Sequence, residues 1–141
     1  MKVLLDTNII LDVIERREPH FIASSEVWSA VEEKRVQGAV TSLTVITVHY
    51  LAKRKVGHAA TMRGITQIQK TLEIIDVGSE DINHGMDAIT TDFEDAVQAF
   101  AAARAGVVWI VTRDRKGFSR SPVPSILPTE LLALLRTQGS T

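Results

Sequence analysis

The stretches Val3-Leu4-Leu5-Asp6-Thr7-Asn8 and Val108-Trp109-Ile110-Val111-Thr112-Arg113-Asp114 decide the fold, because each is an apolar run of strand length that ends in polar residues. Such runs are typical of strands buried in a parallel sheet. The carboxyl ends of parallel strands share one edge of the sheet, so acids from distant parts of the chain can meet there. Asp6 and Asp114 are therefore predicted to converge. Acids gathered without a basic partner are costly unless a cation lies among them, which makes a Mg²⁺ or Mn²⁺ site the first hypothesis.

Strand-like and helix-like segments alternate along the whole chain. The apolar runs predict strands over residues 2–5, 39–42, 72–77, 107–112 and 123–127. Periodicity and capping residues predict helices over residues 8–15, 20–36, 43–55, 58–72 and 92–104, one from Ser79 with Ile82, Met86 and Ile89 as its apolar positions, and one from Pro128. This alternation predicts one domain, residues 1–141, folded as a three-layer α/β sandwich with a central parallel sheet of four to five strands flanked by helices.

Composition narrows the function classes. The 141 residues are 45% hydrophobic and 23% charged, with a net charge of −1 and no cysteine. Disulfides and cysteine-based zinc or thiol chemistry are excluded, and a reducing cytoplasm is the expected compartment. No apolar run approaches the ~20 residues of a membrane span, so we expect no membrane association. Because the net charge is near zero, binding to nucleic acid would depend on a local basic patch.

A third acid, Asp95, lies near the start of an alanine-rich predicted helix, three residues after Asp92. The small residues Ala99 and Ala102 continue its face and would let the helix lie close to the sheet, which brings Asp95 to the same edge. Each acid also has an ordinary structural interpretation. Asp6 and Asp92 suit helix caps, Asp95 complements a helix dipole, and an aspartate after a strand suits a turn. The metal hypothesis therefore depends on the three acids together.

These motifs resemble PIN domains, the small metal-dependent ribonucleases. The resemblance is carried by Leu4-Leu5-Asp6-Thr7-Asn8, by Asp92-Phe93-Glu94-Asp95-Ala96, and by Ile110-Val111-Thr112-Arg113-Asp114 with Phe118 beyond it. It implies a parallel sheet flanked by helices, an RNA substrate, and Mg²⁺ or Mn²⁺ held by the catalytic residues Asp6, Asp95 and Asp114. Many bacterial members are toxins of VapC type, so the resemblance also implies an antitoxin partner and a homodimer.

The sequence departs from the family pattern at two positions. PIN domains usually place a glutamate in the helix after the second strand, six residues beyond a Ser or Thr, and counting from Thr41 puts that slot at Thr47. Three carboxylates in place of four imply weaker metal binding, or one metal where two would sit. Gly117 stands where related sequences often have another acid before the Phe.

Polar and basic residues beside the acids complete the predicted site. Asn8 would orient a water or a carboxylate, and Thr112 would hydrogen-bond an acid in the same pocket; both also suit capping or structural roles. Arg113, Arg115 and Lys116 would contact RNA phosphates, for which the planar fork of arginine is well suited. A solvated charged loop explains the same three residues equally well.

Three functions remain open at the level of sequence. The leading hypothesis is a metal-dependent endoribonuclease, the toxin of a toxin–antitoxin pair. The alternative keeps the fold without catalysis, as a module that binds RNA or a protein partner. The third is an aspartate-nucleophile phosphatase acting on small molecules, which is disfavoured because Asn8 stands where a second aspartate is needed.

Overall fold

The computed structural model describes residues 1–88 and 92–139. Its elements alternate along the chain, as the sequence predicts. The strands are β1 (Lys2–Leu5), β2 (Gln37–Thr41), β3 (Glu73–Ile75), β4 (Trp109–Val111) and β5 (Ser125–Ile126). The helices are α1 (Thr7–Ile14), α2 (Phe21–Glu32), α3 (Ser42–Thr71), α4 (Ser79–Asp87), α5 (Phe93–Arg104) and α6 (Pro128–Gly139), with a short 3-10 helix over Arg115–Phe118.

The five strands form one parallel sheet in the order β3-β2-β1-β4-β5. The most apolar strands, β1 and β4, are neighbours, and Leu5 lies opposite Val111. The Asp6 backbone N–H continues this pairing by donating to the Val111 carbonyl at 3.0 Å. The register therefore brings the residues that follow β1 and β4 to the same edge.

Side chains that alternate along β1 divide the core in two. Val3 and Leu5 pack in one apolar cluster with residues of α1, α2, α3 and α6, while Leu4 packs in a second cluster with residues of α5. Helices thus cover both faces of the sheet, which confirms the predicted three-layer α/β sandwich. Helices on both faces also explain why the strands are continuously apolar.

Two helices differ from their predictions. The segments predicted as separate helices over residues 43–55 and 58–72 form one helix, α3, with a kink at Gly57, where φ is +85°. A glycine adopts this left-handed conformation without the steric cost of a side chain. Helix α4 ends at Asp87, and its apolar residues Ile82 and Met86 are exposed; the third apolar position of that predicted series, Ile89, lies outside the described residues.

No helix within residues 1–88 and 92–139 is both long enough and apolar enough to cross a membrane.

Candidate active site

Asp6 lies where β1 ends and α1 begins. It is the N-cap of α1, and its Oδ1 accepts a hydrogen bond from the Thr7 backbone N–H at 2.8 Å. Its Oδ2 accepts from Thr112 Oγ1 at 2.8 Å. The side chain is only 5% exposed, and this burial raises the pKa of Asp6 against the lowering effect of the hydrogen bonds from Thr112 and Thr7.

Asp95 lies in the first turn of α5, on the opposite face of the sheet from α1. Its backbone N–H donates to Oδ1 of Asp92, the N-cap, at 3.0 Å, so the capping role predicted for Asp92 is confirmed. The Asp95 carboxyl group is half-buried. Burial first, and then the charges of neighbouring carboxylates, with Asp6 the foremost, raise the pKa of Asp95 to about 7. Burial and nearby like charges both disfavour the ionised form of a carboxyl group, and both act on Asp95.

Asp114 reaches the same place from the end of β4. Its backbone N–H donates to Thr112 Oγ1 at 3.0 Å, and the same hydroxyl donates to Asp6, so Thr112 ties the two segments together. Gly117 marks where the acids meet. A Cβ on Gly117 would lie 2.0 Å from Oδ2 of Asp95 and 3.5 Å from Oδ2 of Asp114. The structure therefore brings the three predicted acids to one edge of the sheet.

A buried polar network, which the sequence analysis missed, lies next to these acids. Gln98 is fully buried one turn after Asp95, and its Oε1 accepts from Thr44 Oγ1 at 3.0 Å and from Thr41 Oγ1 at 3.5 Å. The Thr44 hydroxyl also lies 2.9 Å from the Thr7 hydroxyl. A glutamine spaced three residues after an acid on the same helix was the only sequence signal for this network.

Asn8 and Arg113 both hydrogen-bond to charged side chains of the protein itself. Oδ1 of Asn8 accepts a long hydrogen bond, 3.4 Å, from Nη1 of Arg17. Arg113 donates through Nε and Nη2 to the two carboxylate oxygens of Asp12, at 2.9 and 3.0 Å, and Asp12 is fully buried. Arg113 therefore ties the end of β4 to α1, a contact that the sequence analysis did not anticipate.

The remaining basic residues of the loop point in different directions. Arg115 forms an ion pair with Glu130 of α6 and lines a cleft with Trp109 on the side of β5. Lys116 is exposed. Arg120 lines a narrow crevice together with Asp95 and Gly117. Of these three basic residues, Arg120 is the one that lies beside an acid of the site, Asp95.

Position 47, the slot for the usual glutamate, holds a partly buried threonine in the second turn of α3. The helix itself starts where the resemblance requires, because the Thr41 side chain caps it by accepting from the Thr44 backbone N–H at 3.2 Å. The side chains that this end of α3 brings to the buried network are thus hydroxyls.

The donor set suits a hard divalent cation. Carboxylate oxygens are the ligands that Mg²⁺ prefers, and it is commonly held by one or two carboxylates with waters completing its shell. After burial, the charges of the neighbouring carboxylates contribute to the raised pKa of Asp95, and a cation would offset those charges. Among the described residues, no three side chains of Asp, Glu, His or Cys are close enough to bind one ion together. A metal ion at a site of this geometry would accordingly have fewer than three direct carboxylate ligands.

A parallel α/β sandwich with acids collected at the carboxyl edge of its strands defines the class of this protein. The chain belongs to the PIN domain family, whose model matches residues 2–116. It is 27% identical over 135 residues to the ribonuclease VapC1 of Aquifex aeolicus (strain VF5), covering 92% of this chain and 91% of that protein.

Solved structures with the same fold share little sequence with it. VapC20 of Mycobacterium tuberculosis, described as a sarcin–ricin loop cleaving toxin, matches with a TM-score of 0.68 at 13% identity, over 84% of this chain and 94% of that one. A toxin–antitoxin complex from Klebsiella pneumoniae matches with a TM-score of 0.67 at 21% identity, over 89% and 97% of the two chains. At these identities the likeness confirms the PIN fold.

Proposed function

We propose that this chain is a metal-dependent endoribonuclease that hydrolyses RNA phosphodiester bonds. The observation that carries the proposal is that Asp95 and Asp114 lie beside Gly117, while the Thr112 hydroxyl links Asp114 to Asp6. The name of the relative from Aquifex aeolicus, a ribonuclease, supports RNA as the substrate.

Asp6 and Asp95 would hold Mg²⁺ or Mn²⁺ directly, and Asp114 would hold it through a water. When bound, the ion lowers the pKa of an attacking water and stabilises the charge that develops on the phosphate. Thr112 keeps the Asp6 carboxylate in one orientation through its hydrogen bond to Oδ2. Lys116 and Arg120 are the basic residues best placed to contact the RNA backbone, because Arg113 and Arg115 are engaged by Asp12 and Glu130.

The test is cleavage of a mixed pool of single-stranded and structured RNA in Mg²⁺, in Mn²⁺ and in EDTA. We expect metal-dependent cleavage by the wild type and its loss in Asp6→Asn, with the fold retained by circular dichroism. Glu26→Gln removes an exposed carboxylate on α2 and serves as the matched control, with activity unchanged. Activity that survives both Asp6→Asn and Asp95→Asn would refute the proposal.

A second function, a PIN module that binds RNA or protein without cleaving, is favoured by the threonine at position 47. Its test is calorimetric. A folded wild type that binds no Mn²⁺ at millimolar concentration and cleaves in no condition supports this function, whereas Mn²⁺ binding together with cleavage excludes it.

We further propose that the chain is the toxin of a toxin–antitoxin pair and forms a homodimer in the cytoplasm. The similar structures support the antitoxin partner: besides the complex from Klebsiella pneumoniae, they include VapBC2 from Rickettsia felis bound to a DNA fragment from the promoter of the pair. Co-expression with the product of an adjacent reading frame, followed by co-purification and loss of cleavage, tests this assignment.

A further inference from the structure

The side-chain amide of Gln98 is hydrogen-bonded through its oxygen but not through its nitrogen. Its Oε1 accepts from two threonine hydroxyls, whereas its buried Nε2 has no hydrogen-bond partner in the described structure. A buried N–H group without a partner loses its hydrogen bonds to water and gains none in return, which destabilises the fold. Because Gln98 is fully buried, we expect a neighbouring group to accept a hydrogen bond from its Nε2.

The orientation of this amide is set by its neighbours. Asp6 is the carboxylate close enough to Gln98 for the amide to lower its pKa. If the amide were flipped, Oε1 would face the Asp6 carboxylate and two acceptors would oppose each other. With Oε1 held by Thr44 and Thr41, Nε2 is the end of the amide that has no hydrogen-bond partner.

The hydroxyls continue the chain of contacts back to Asp6. Thr44 links Gln98 to the Thr7 hydroxyl, and the Thr7 backbone N–H holds Oδ1 of Asp6. The residues involved come from α5, the start of α3 and the start of α1. One neutral network thus fixes the position of α5 relative to the first acid of the site.

We propose that Gln98 is a positioning residue for Asp6, donating Nε2–H to the Asp6 carboxylate while the hydroxyls of Thr44 and Thr41 hold its Oε1. Asp6 then has three neutral donors, Gln98, Thr112 and the Thr7 N–H, and its carboxylate is fixed before any cation binds. The inference rests on the proposed function for its consequence, which is tighter metal binding. The contact itself requires no metal.

The contact is tested first by NMR on metal-free protein. The Gln98 side-chain amide resonance, assigned by its absence in Gln98→Met, is expected to show one downfield proton protected from exchange. In Asp6→Asn that proton should move upfield and exchange faster, because a charged acceptor is lost. The Gln67 amide, which donates to Glu32 at 3.3 Å, is the internal control and should not change. A Gln98 amide that is unprotected, or unaffected by Asp6→Asn, overturns the proposal.

The consequence is tested by calorimetric titration with Mn²⁺. Loss of an outer-shell partner costs about tenfold to a hundredfold in metal affinity, so Gln98→Met should weaken Mn²⁺ binding by that factor. Thr61→Val is the matched control, because it removes a buried hydroxyl bond, to the Gly57 carbonyl, within α3; it should change the affinity less than about twofold. Unchanged affinity in folded Gln98→Met overturns the positioning role. A wild type that binds no Mn²⁺ would instead refute the proposed metal site, and the NMR result would then decide the Gln98 contact separately.

Discussion

Near neutral pH, the charge of the site changes mainly through the carboxyl group of Asp95. Its pKa of about 7 in the folded protein lies well above the value of about 4 in an unfolded chain. Its protonated form therefore stabilises the fold below about pH 4, and this stabilisation is lost as the pH rises through 7. The shift of Asp6 is in the same direction and adds to the effect.

We accordingly expect Asp95→Asn to stabilise the metal-free protein at pH 8 and to have little effect at pH 4. Because the group is half-exposed, we discount the shift to about 1 kcal/mol, roughly 3 °C in melting temperature for a chain of this size. Thermal melts in EDTA at the two pH values measure this, with Glu26→Gln as control. A melting temperature that responds equally at both pH values would contradict the assigned cause.

Gly117 sets the space that the Asp95 carboxylate occupies. An alanine there would place its Cβ 2.0 Å from Asp95 Oδ2, so the carboxylate would have to leave its position. We expect Gly117→Ala to weaken Mn²⁺ binding and RNA cleavage about tenfold or more, a size typical of displaced ligand groups. At Gly139 an added Cβ meets no atom within 4 Å, so Gly139→Ala is the matched control. Calorimetry and the cleavage assay provide the readouts, and wild-type values in Gly117→Ala would refute the predicted crowding.

Between elements, the Asp12–Arg113 pair joins α1 to the end of β4, and the Ser24 hydroxyl of α2 donates to the same carboxylate at 2.9 Å. Removing Arg113 leaves the fully buried Asp12 carboxylate with a more distant cation, Arg17, whose Nη1 lies 4.0 Å from Oδ1, so most of its charge is no longer compensated. We expect Arg113→Met to lower the free energy of unfolding by about 3 kcal/mol or more, measured by urea denaturation.

The exposed pair of Lys2 and Glu73 provides the comparison for this prediction. Its N–O distance is also 3.0 Å, but surface pairs contribute less than about 1 kcal/mol, so Glu73→Gln should have a small effect. Equal losses in the two variants would mean that Arg113 contributes no more than a surface cation, and its predicted contact with RNA would then regain support.

The elements show what local pattern can predict. The apolar runs of β1 and β4 indicated their strands, and parallel pairing then placed Asp6 beside Thr112 because the register allows no other neighbour. Gln98 and Asp12 could not be found in this way. Their partners lie 57 and 101 residues away in the chain, and a glutamine or aspartate on a helix is ordinarily solvated. The apolar spacing of Ile82 and Met86 was equally ambiguous, since the same pattern serves a core or a surface contact.

At the scale of the whole molecule, an apolar surface lies outside the core. Ile82 and Met86, one turn apart on α4, are exposed, and Phe93 at the start of α5 is exposed beside them, since its ring lies 3.5 Å from a Cβ placed on Gly85. We name these three side chains the α4–α5 patch. The apolar residues Val27 and Val31 of α2, in contrast, are buried in the core. If the chain forms a homodimer, we expect the α4–α5 patch to be the apolar surface that is buried between its two copies.

We therefore expect Met86→Lys to dissociate the dimer. Met86 is 71% exposed in the single chain, and burying a methionine side chain contributes about 1.5–3 kcal/mol, so replacing it by a charge should raise the dimer dissociation constant at least tenfold. Ile22→Lys is the control, because Ile22 is 62% exposed on α2, away from the patch. Sedimentation velocity over a range of protein concentrations measures both variants. A wild type that remains monomeric would refute the dimer, and a dimer that survives Met86→Lys but not Ile22→Lys would place the interface on α2.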